Sequence, residues 1–397
     1  MASKLHRSLA QASIELCDCV WQQAQVLDTV LAQRFKASPK WGKRDRHFIA
    51  NTVFECVRWR QKLAFLAASQ KTAQICAAHW IEQGYSQPHW WSELYGPWPQ
   101  TVGQRSAQLT DQPRALRASI PDWIDQLADQ QLGPQWEPTL EALNQRAPIY
   151  LRVNSYKWPR AEVIDWLANK GIDTHAIAEL PDALQLAPDN RIPNAIRQAG
   201  RVEIQDLGSQ MIAPLLQAQA GETIIDSCAG VGGKTLHLAN LVNDQATIIA
   251  MDSVAGKLQQ LQRRARRAQF KSIQTHWIQG DNWQAYENRA DCLLMDVPCS
   301  GLGTLRRQPD LKWRLNPAKL ATVIQLQKQL MAAYPRMLKV GGRLLYATCS
   351  ILPAENRAVV DSLLATKAFR LLSEQALWPQ AHNSDGFYAA LLEKTAD

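Results

Sequence analysis

The sequence lacks the usual marks of a membrane or secreted protein. No apolar run approaches the roughly 20 residues that a membrane-spanning helix needs. The first residues do not contain the apolar stretch of a signal peptide. The cysteines form neither a CxxC pair nor the compact spacing of a disulfide framework, so neither a zinc site nor a secreted fold is indicated. These absences predict a cytoplasmic protein with reduced thiols and no bound metal.

The chain is long, and its net charge is positive. It has 397 residues, of which 46% are hydrophobic, and this is enough material for two or three globular domains. The formal charge of +8 favours a polyanionic partner, because Lys and Arg side chains gain affinity by displacing counterions from phosphates.

The pattern of residue types changes twice before residue 205. Apolar residues recur at helical spacing between residues 8 and 69, which predicts a helical bundle. Residues 86–121 are rich in Pro and Gly and predict an extended linker or a loosely packed edge. Two helical patterns and a strand-like stretch follow. We therefore predict a helical domain over residues 1–118 and a small α+β domain over residues 119–204.

From residue 205 to residue 397, short apolar runs alternate with helical stretches. This pattern is typical of an α/β domain with a doubly wound, mostly parallel sheet covered on both faces. The predicted strands are Thr223–Asp226, Ala246–Asp252, Ile273–Ile278, Asp291–Asp296, Arg343–Thr348 and Phe387–Glu393.

The turn after the first of these strands, DSCAGVGGKT, contains three glycines before a helix begins. A nucleotide-binding Walker A loop would need Gly where Cys228 stands, and the glycine intervals do not match the dinucleotide fingerprint GxGxxG. A tight packing turn is the alternative. Asp252 ends the second strand about 20 residues later, where a carboxylate can accept hydrogen bonds from both hydroxyls of a ribose. Asp281, after the third strand, could face an adenine.

Two cysteines follow the fourth and fifth strands. Cys299 comes shortly after Asp296, and Cys349 directly follows the fifth strand. Neighbouring parallel strands are about 4.8 Å apart, so the two thiols could face one cavity. A single buried cysteine is usually inert packing material. Two of them at adjacent strand ends, beside Asp296 and the glycine turn, favour a reactive site.

Three segments resemble the RsmB/Sun family of RNA cytosine-5 methyltransferases. They are DSCAGVGGKT, DVPCSGLGTLRRQPDLKWR and YATCSILPAEN, with weaker support from LRVN, QDLGSQMIAPLL and DGFYAALLEK. The resemblance covers roughly residues 140–397. One departure is Gly230-Val231, where the family usually has Ala-Pro. RDRHFIANTVFECVRW is weakly similar to the NusB-like RNA-binding domain of the family.

The resemblance implies a Rossmann-like methyltransferase domain that binds S-adenosylmethionine. It implies that Cys349 attacks carbon 6 of a cytosine and that Cys299 promotes release of the product. Asp296 would hydrogen-bond the cytosine edge, with Lys234 near the same pocket. The implied cofactor-binding residues are Cys228, Ala229, Gly230, Val231, Gly232, Gly233, Lys234, Asp252, Asp281 and Asp296.

Basic residues in two places could bind RNA. Arg263, Arg264, Arg266, Arg267 and Lys271 follow the second strand, although such a run is usually a solvated helix face. Arg306, Arg307, Lys312 and Arg314 follow the Pro-Cys motif and should lie nearer the target base. A base that is attacked covalently has to leave its stack, so a single-stranded or locally opened cytosine is expected. The many tryptophans favour packing over stacking on RNA.

Several functions stay open on the sequence. The leading one is a monomeric methyltransferase of 16S rRNA, and a tRNA-modifying member of the same family is the runner-up. A non-catalytic RNA-binding ribosome assembly factor would not need both cysteines, Asp296 and Lys234. A P-loop NTPase is disfavoured by Cys228.

Overall fold

The computed structural model describes residues 5–188 and 190–396. The chain divides into two compact units. The first, called the helical unit, holds the described residues up to Asn144 together with Leu305–Pro317. The second, called the sheet unit, holds the described residues within 145–304 and 318–397. Every described helix is too short or too polar to cross a bilayer.

The helical unit is built from amphipathic helices that bury one face each. Its main core includes Ile14, Val53 and Ile75, which come from α1, α3 and α5. The helices before residue 145 are α1 (Arg7–Gln22), α2 (Leu27–Ala37), α3 (Lys43–Arg58), α4 (Arg60–Ala67), α5 (Thr72–Glu82), α6 (Trp91–Tyr95), α7 (Val102–Ala107), α8 (Arg114–Arg117), α9 (Asp122–Leu132) and α10 (Trp136–Asn144). The predicted helical bundle is therefore present.

For the Pro-rich stretch over residues 86–121 the sequence predicted an extended linker or a loosely packed edge, and the structure has helices there instead of an extended linker. The stretch contains α6, α7 and α8. Pro113 and Pro121 lie directly before α8 and α9, where the fixed φ of proline suits the entry to a helix. Trp91 is fully buried and its ring meets that of Trp98 edge to face at 4.8 Å. The aromatic side chains of this stretch thus pack inside the unit.

The two compact units do not coincide with the three predicted domains. Helices α9 and α10 belong to the helical unit. One reason is the ion pair of Arg114 with Asp125, whose carboxylate also accepts a hydrogen bond from the indole of Trp136.

A small antiparallel sheet with the strand order β2-β3-β1-β4 opens the sheet unit. Its elements are β1 (Tyr150–Val153), α11 (Arg160–Ala168), β2 (Thr174–Ala176), β3 (Ala183–Leu186), α12 (Asn194–Gln198) and β4 (Val202–Ile204). Every residue of β1 is buried, which agrees with its central place in the sheet. This is the α+β element that the sequence predicts.

The larger sheet has the order β10-β11-β9-β8-β5-β6-β7 in the described residues. Strands β5 to β9 run parallel. Strand β11 is antiparallel to β9, and β10 is antiparallel to β11, so β10 runs in the same direction as β5 to β9. The strands are β5 (Thr223–Asp226), β6 (Thr247–Asp252), β7 (Ile273–Trp277), β8 (Ala290–Asp296), β9 (Leu338–Thr348), β10 (Phe369–Leu377) and β11 (Phe387–Lys394). All six predicted strands are present, and the predicted doubly wound α/β class is confirmed.

Helices cover both faces of this sheet, as expected when parallel strands are joined by crossovers. They are α13 (Leu207–Leu215), α14 (Gly233–Leu241), α15 (Ala255–Ala268), α17 (Pro317–Ala333), α18 (Arg357–Leu364) and α19 (Pro379–His382). The chain runs from β5 outward to β6 and β7 and then returns to the other side of β5 as β8. Strand order therefore reverses between β5 and β8, and ligands of such sheets bind at the carboxyl ends of the strands beside this point.

The segment Leu305–Pro317 contains the short helix α16 (Leu311–Arg314) and packs within the helical unit. The ammonium of Lys312 donates to the carbonyl of Arg58 at 2.9 Å, and the indole of Trp313 donates to the carbonyl of Val57 at 2.7 Å. Both carbonyls belong to the last turn of α3, where the helix itself provides no donors. The segment thus caps the carboxyl end of α3, which explains structurally why Lys and Trp stand in LKWR.

Candidate active site

Two sulfur atoms meet at the carboxyl ends of β8 and β9. The strands pair in parallel with Asp296 opposite Ala347, so the loops that follow them begin side by side. Cys299 and Cys349 are half-buried, and their Sγ atoms are 3.2 Å apart. This is the arrangement expected from the strand order, with both thiols opening at one edge of the sheet.

Lys234 and Asp296 form an ion pair at the same edge. The Nζ of Lys234 lies 2.6 Å from Oδ2 of Asp296. Burial disfavours the charge on the lysine, yet the carboxylate of Asp296 outweighs burial and raises the pKa of Lys234. The side chain also interacts electrostatically with Cys349. A fixed positive charge therefore lies beside the two sulfurs.

The glycine turn between β5 and α14 needs backbone angles that favour glycine. Gly230 and Gly232 have φ of +56° and +88°. A Cβ on Gly232 would lie 2.5 Å from Cγ of Leu261, whereas a Cβ on Gly230 would meet nothing within 4 Å. The turn is thus packed against α15 at Gly232 and has open space beside Gly230.

Asp252, at the end of β6, faces this turn. Its Oδ2 accepts a hydrogen bond from the backbone N–H of Gly230 at 2.9 Å, and its Oδ1 accepts one from Val254 at 2.8 Å. The structure therefore brings Asp252 together with the predicted loop of residues 228–234. Asp281 is exposed after β7, at the start of the short helix Asn282–Tyr286.

Asp226 is a buried carboxylate of this region that the site prediction did not include. It ends β5 and accepts a hydrogen bond from the hydroxyl of Thr235 at 2.6 Å, while its other oxygen has no hydrogen-bond partner among the residues that the structure describes. Burial, with a smaller contribution from the charge of Asp296, raises the pKa of Asp226 to about 7. Its position as the first residue of DSCAGVGGKT is the signal that could have identified it.

A second omission is Glu355, which lies in YATCSILPAEN. Its carboxylate accepts hydrogen bonds from Ser300 and Ser350, the residues that directly follow the two cysteines. Only the three-dimensional structure brings these residues together, because Ser300 and Glu355 are far apart in the sequence.

Comparison with known proteins identifies the family. A family model described as 16S rRNA methyltransferase RsmB/F matches residues 213–393, and a model of the RsmF/B-like ferredoxin-like domain matches residues 120–192. The ribosomal RNA small subunit methyltransferase B of Sodalis glossinidius is 35% identical over 99% of this chain and 91% of its own length. A probable enzyme of the same name from Synechocystis is 38% identical over 70% of this chain and 67% of its own length. The chain belongs to the 16S rRNA methyltransferase RsmB/F family.

Solved structures agree with the fold of this RsmB/F family member. The protein PH0851 covers 99% of the chain with a TM-score of 0.82 at 23% identity, and its whole length is matched. NSun6 from Pyrococcus horikoshii, solved with SFG, covers 70% of the chain and is itself fully covered, with a TM-score of 0.62 at 19% identity.

As an RsmB/F member the protein is a methyltransferase that uses S-adenosylmethionine. The residues at the carboxyl ends of β5 and β6 fit that cofactor. Asp252 offers carboxylate oxygens where a ribose could donate its hydroxyls, and the open space beside Gly230 leaves room for a ligand against the backbone.

The predicted RNA-binding residues have different surroundings. The side chain of Lys312 is 1% exposed and its Nζ donates a hydrogen bond to the last turn of α3, so the prediction that Lys312 contacts RNA is wrong. Burial, together with the charge of Arg58, lowers the pKa of Lys312 well below its usual range. Arg306 is also buried, whereas Arg307 and Arg314 are partly exposed. Arg314 is paired with Asp310 at 2.8 Å.

The basic helix α15 keeps part of its charge accessible. Arg263 is exposed, while Arg264 and Arg267 form ion pairs with Glu203 of β4 at 2.9 and 2.5 Å. Burial of Glu203 would raise its pKa, but the two guanidinium groups lower it. A groove beside them is also lined by Arg197 and by the exposed Val231.

Three cysteines that are scattered in the sequence meet in the core of the helical unit. The sulfurs of Cys17, Cys56 and Cys76 lie within 4.8 Å of one another, and all three side chains are buried. They come from α1, α3 and α5, so no local spacing could have revealed the cluster. Burial raises the pKa of Cys17 and of Cys56. Burial acts in the same direction on Cys76, but the hydrogen bonds with these two thiols outweigh it and lower the pKa of Cys76 to about 6.

Proposed function

We propose that this enzyme methylates carbon 5 of a cytosine in 16S rRNA through a covalent adduct on Cys349. The observation that carries the proposal is the pair of sulfurs 3.2 Å apart, beside the ion pair of Lys234 and Asp296. We further propose that the protein acts as a monomer in the cytoplasm.

Covalent attack solves the main chemical difficulty of this reaction. Carbon 5 of cytosine is a weak nucleophile, and a thiolate that adds to carbon 6 converts the ring into an enamine. The Cys349 sulfur forms the new bond to carbon 6, and the electrons of the carbon 5–carbon 6 double bond become available at carbon 5. S-adenosylmethionine supplies the electrophilic methyl group that carbon 5 takes up.

Release of the product needs a second group. The proton on carbon 5 must be removed, the double bond restored and the bond between carbon 6 and the Cys349 sulfur broken. Cys299 is close enough to exchange a proton with Cys349. The hydrogen bond with Cys349, followed by burial, raises the pKa of Cys299 well above its usual range. That shift supports a role for Cys299 as a neutral thiol while Cys349 attacks as a thiolate. Once the Cys349 sulfur is bonded to carbon 6, Cys299 gives its proton to solvent and, as a thiolate, takes the proton from carbon 5. The double bond then reforms and Cys349 leaves carbon 6 as a thiolate.

The ion pair of Lys234 and Asp296 is proposed to stabilise the adduct at the target cytosine. Addition of sulfur to carbon 6 shifts electron density toward the ring nitrogens, and a hydrogen-bonding carboxyl at the cytosine edge stabilises the adduct. Asp296 is proposed for this contact, and Lys234 holds it in place at 2.6 Å.

Binding of the RNA is proposed to use accessible arginines. Arg263 and Arg267 on α15 lie at a groove of the sheet unit. Arg307 and Arg314 follow the Pro-Cys motif in sequence. Contacts to phosphates would hold the strand, and the target cytosine would be unstacked to reach the thiols.

A methyl-transfer assay with labelled S-adenosylmethionine tests the proposal. The substrates are 16S rRNA and, in a parallel arm, tRNA. We expect 5-methylcytosine in the 16S rRNA, with no incorporation by Cys349→Ala. Cys299→Ala should instead accumulate a protein–RNA adduct, seen as a slow band on a denaturing gel. Full activity of Cys349→Ala would refute the assignment, and an adduct that forms only when Cys349 is replaced would reverse the roles of the two cysteines.

A further inference from the structure

A buried carboxylate lies behind the two cysteine loops. Glu355 has no exposed surface. Its carboxylate accepts hydrogen bonds from the backbone N–H of Ser300 at 2.7 Å, from the hydroxyl of Ser300 at 2.5 Å and from the hydroxyl of Ser350. The Oγ atoms of Ser300 and Ser350 are themselves 3.3 Å apart. One side chain therefore bonds to the residue after each thiol.

The same carboxylate is fixed from the helix side. The amide of Gln327 in α17 donates to Glu355 at 3.1 Å and to the carbonyl of Pro298 at 2.9 Å. Pro298 directly precedes Cys299, so the loop of this cysteine is held on both sides of the sulfur-bearing residue. The Gln327 side chain is fully buried, so its amide cannot exchange these hydrogen bonds for bonds to water.

The neighbouring Asn356 holds the loop of the other cysteine. Its side-chain oxygen accepts from the hydroxyl of Thr348 at 2.6 Å, and its side-chain nitrogen donates to the carbonyl of Ser350 at 3.0 Å. The hydroxyl of Tyr346 donates to the backbone carbonyl of Glu355 at 2.7 Å. The Glu355–Asn356 pair is thereby hydrogen-bonded to the end of β9 before Cys349 and to Ser350 after it.

Burying a carboxylate among hydroxyl and amide donors is costly compared with an apolar side chain of the same volume. Such a network fixes one geometry, because each donor has to reach the same two carboxylate oxygens. That specificity is the benefit that accompanies the cost of burial. Here the selected geometry is the separation of two sulfurs that sit one residue away from the bonded serines.

We infer that Glu355 is a positioning residue for both thiols. It holds the loops of Cys299 and Cys349 so that the two sulfurs stay in contact during attack and release. This inference rests on the proposed two-cysteine mechanism. Glu355 itself touches neither sulfur nor substrate in this role and acts through Ser300 and Ser350.

The first test compares Glu355→Gln, Ser300→Ala and Ser350→Ala in the methyl-transfer assay. Glu355→Gln keeps the shape but offers a donor where Ser300 already donates. We expect kcat to fall about tenfold to a hundredfold, with KM for RNA changed less than about threefold, because misplacement of reacting groups acts on the chemical steps. In each serine variant kcat should fall about threefold or more. In the Glu355→Gln background the serine substitutions should cause no further fall in kcat.

The second test needs no methyl transfer and so stands apart from the proposed function. Diamide oxidises the two thiols to one disulfide and is itself reduced to the hydrazine. The wild-type protein should form the Cys299–Cys349 disulfide rapidly, whereas Glu355→Gln should be at least about tenfold slower because the sulfurs are less well aligned. A protein that does not methylate RNA but shows this difference would contradict the proposed function alone.

Glu222→Gln is the matched control. Glu222 accepts a hydrogen bond from the Cys292 thiol at 3.2 Å and pairs with Arg343, at the opposite ends of the same strands. Both rates should stay within twofold of wild type in this variant. The inference is overturned when Glu355→Gln folds and keeps both rates within twofold. Should Glu355→Gln not fold, unchanged kcat and unchanged disulfide rate in both serine variants would overturn it equally.

Discussion

At the scale of the residue, three carboxylates at the strand ends differ in what balances their charge. Asp296 has an ammonium partner in Lys234, and Asp252 accepts from two backbone N–H groups. Asp226 has one hydroxyl from Thr235. Burial raises the pKa of Asp226, and the hydrogen bond from Thr235 offsets only part of that shift.

This raised pKa predicts how stability depends on pH. The pKa of Asp226 is about 7 when folded and near 3.8 when unfolded, so the folded state binds the proton more tightly. The proton therefore stabilises the fold below about pH 4, and this contribution is lost as the pH rises to about 7. Asp226→Asn mimics the protonated form and should remove that loss, which is on the order of a few kcal/mol.

Urea unfolding of wild type and Asp226→Asn at several pH values between 4.5 and 8 measures this difference. We expect the variant to gain stability relative to wild type as the pH rises. Asp361→Asn, on an exposed ion pair with Arg357, serves as the control and should run parallel to wild type. A constant difference between wild type and Asp226→Asn across this range would contradict the prediction.

At the scale of the element, the connection from β5 to α14 depends on one close contact. Gly232→Ala would place its Cβ 2.5 Å from Leu261, a fully buried side chain of α15. We expect this variant to shift the start of α14 and to weaken binding of S-adenosylmethionine by about tenfold or more, because a shift of that turn moves the groups that face the cofactor. Titration calorimetry with the cofactor measures the change.

Gly221→Ala is the control for that experiment. Gly221 has a similar φ of +86°, but a Cβ there would meet nothing within 4 Å. This variant should lose about 1 kcal/mol of stability from backbone strain and keep its cofactor affinity. Equal affinity for S-adenosylmethionine in the two variants would show that cofactor binding does not depend on the close packing of Gly232 against Leu261.

The elements that the sequence predicted well are those whose pattern depends on burial alone. The central strands β5, β6 and β8 are largely apolar because both faces of the sheet are covered, and their predicted ends agree with the structure to within one residue. Strand β9 begins at Leu338, before the predicted start at Arg343. Strand β10 was missed because it is an edge strand with much of its surface exposed, so its sequence FRLLSEQAL has no continuous apolar run. The meeting of Cys299 and Cys349 followed from strand order, whereas Glu355 could not be found without the loop conformation.

At the scale of the whole molecule, the chain leaves the sheet unit after Thr304 and returns at Ala318. Lys312→Ala in the full chain should remove the donor to the carbonyl of Arg58. We expect a loss of about 1–3 kcal/mol from the unsatisfied carbonyl, with faster amide exchange both in residues 305–317 and at the end of α3. Hydrogen exchange followed by mass spectrometry measures this, and β8 should keep its protection.

Lys339→Ala is the matched control, because Lys339 forms a half-exposed ion pair with Asp291 in the sheet unit. It should leave exchange in residues 305–317 unchanged. Exchange that rises in residues 305–317 but not at the end of α3 would contradict the capping role of Lys312.

The return of residues 305–317 to the helical unit has a consequence for the order of events during translation. The helices up to Asn144 leave the ribosome long before Lys312 and Trp313 are made. Until then only water can donate hydrogen bonds to the last carbonyls of α3. The nascent helical unit lacks residues 305–317, which the ribosome adds only after β8. The helical unit can therefore complete its folding only after the ribosome has translated residues 305–317, which lie within the catalytic half of the sequence.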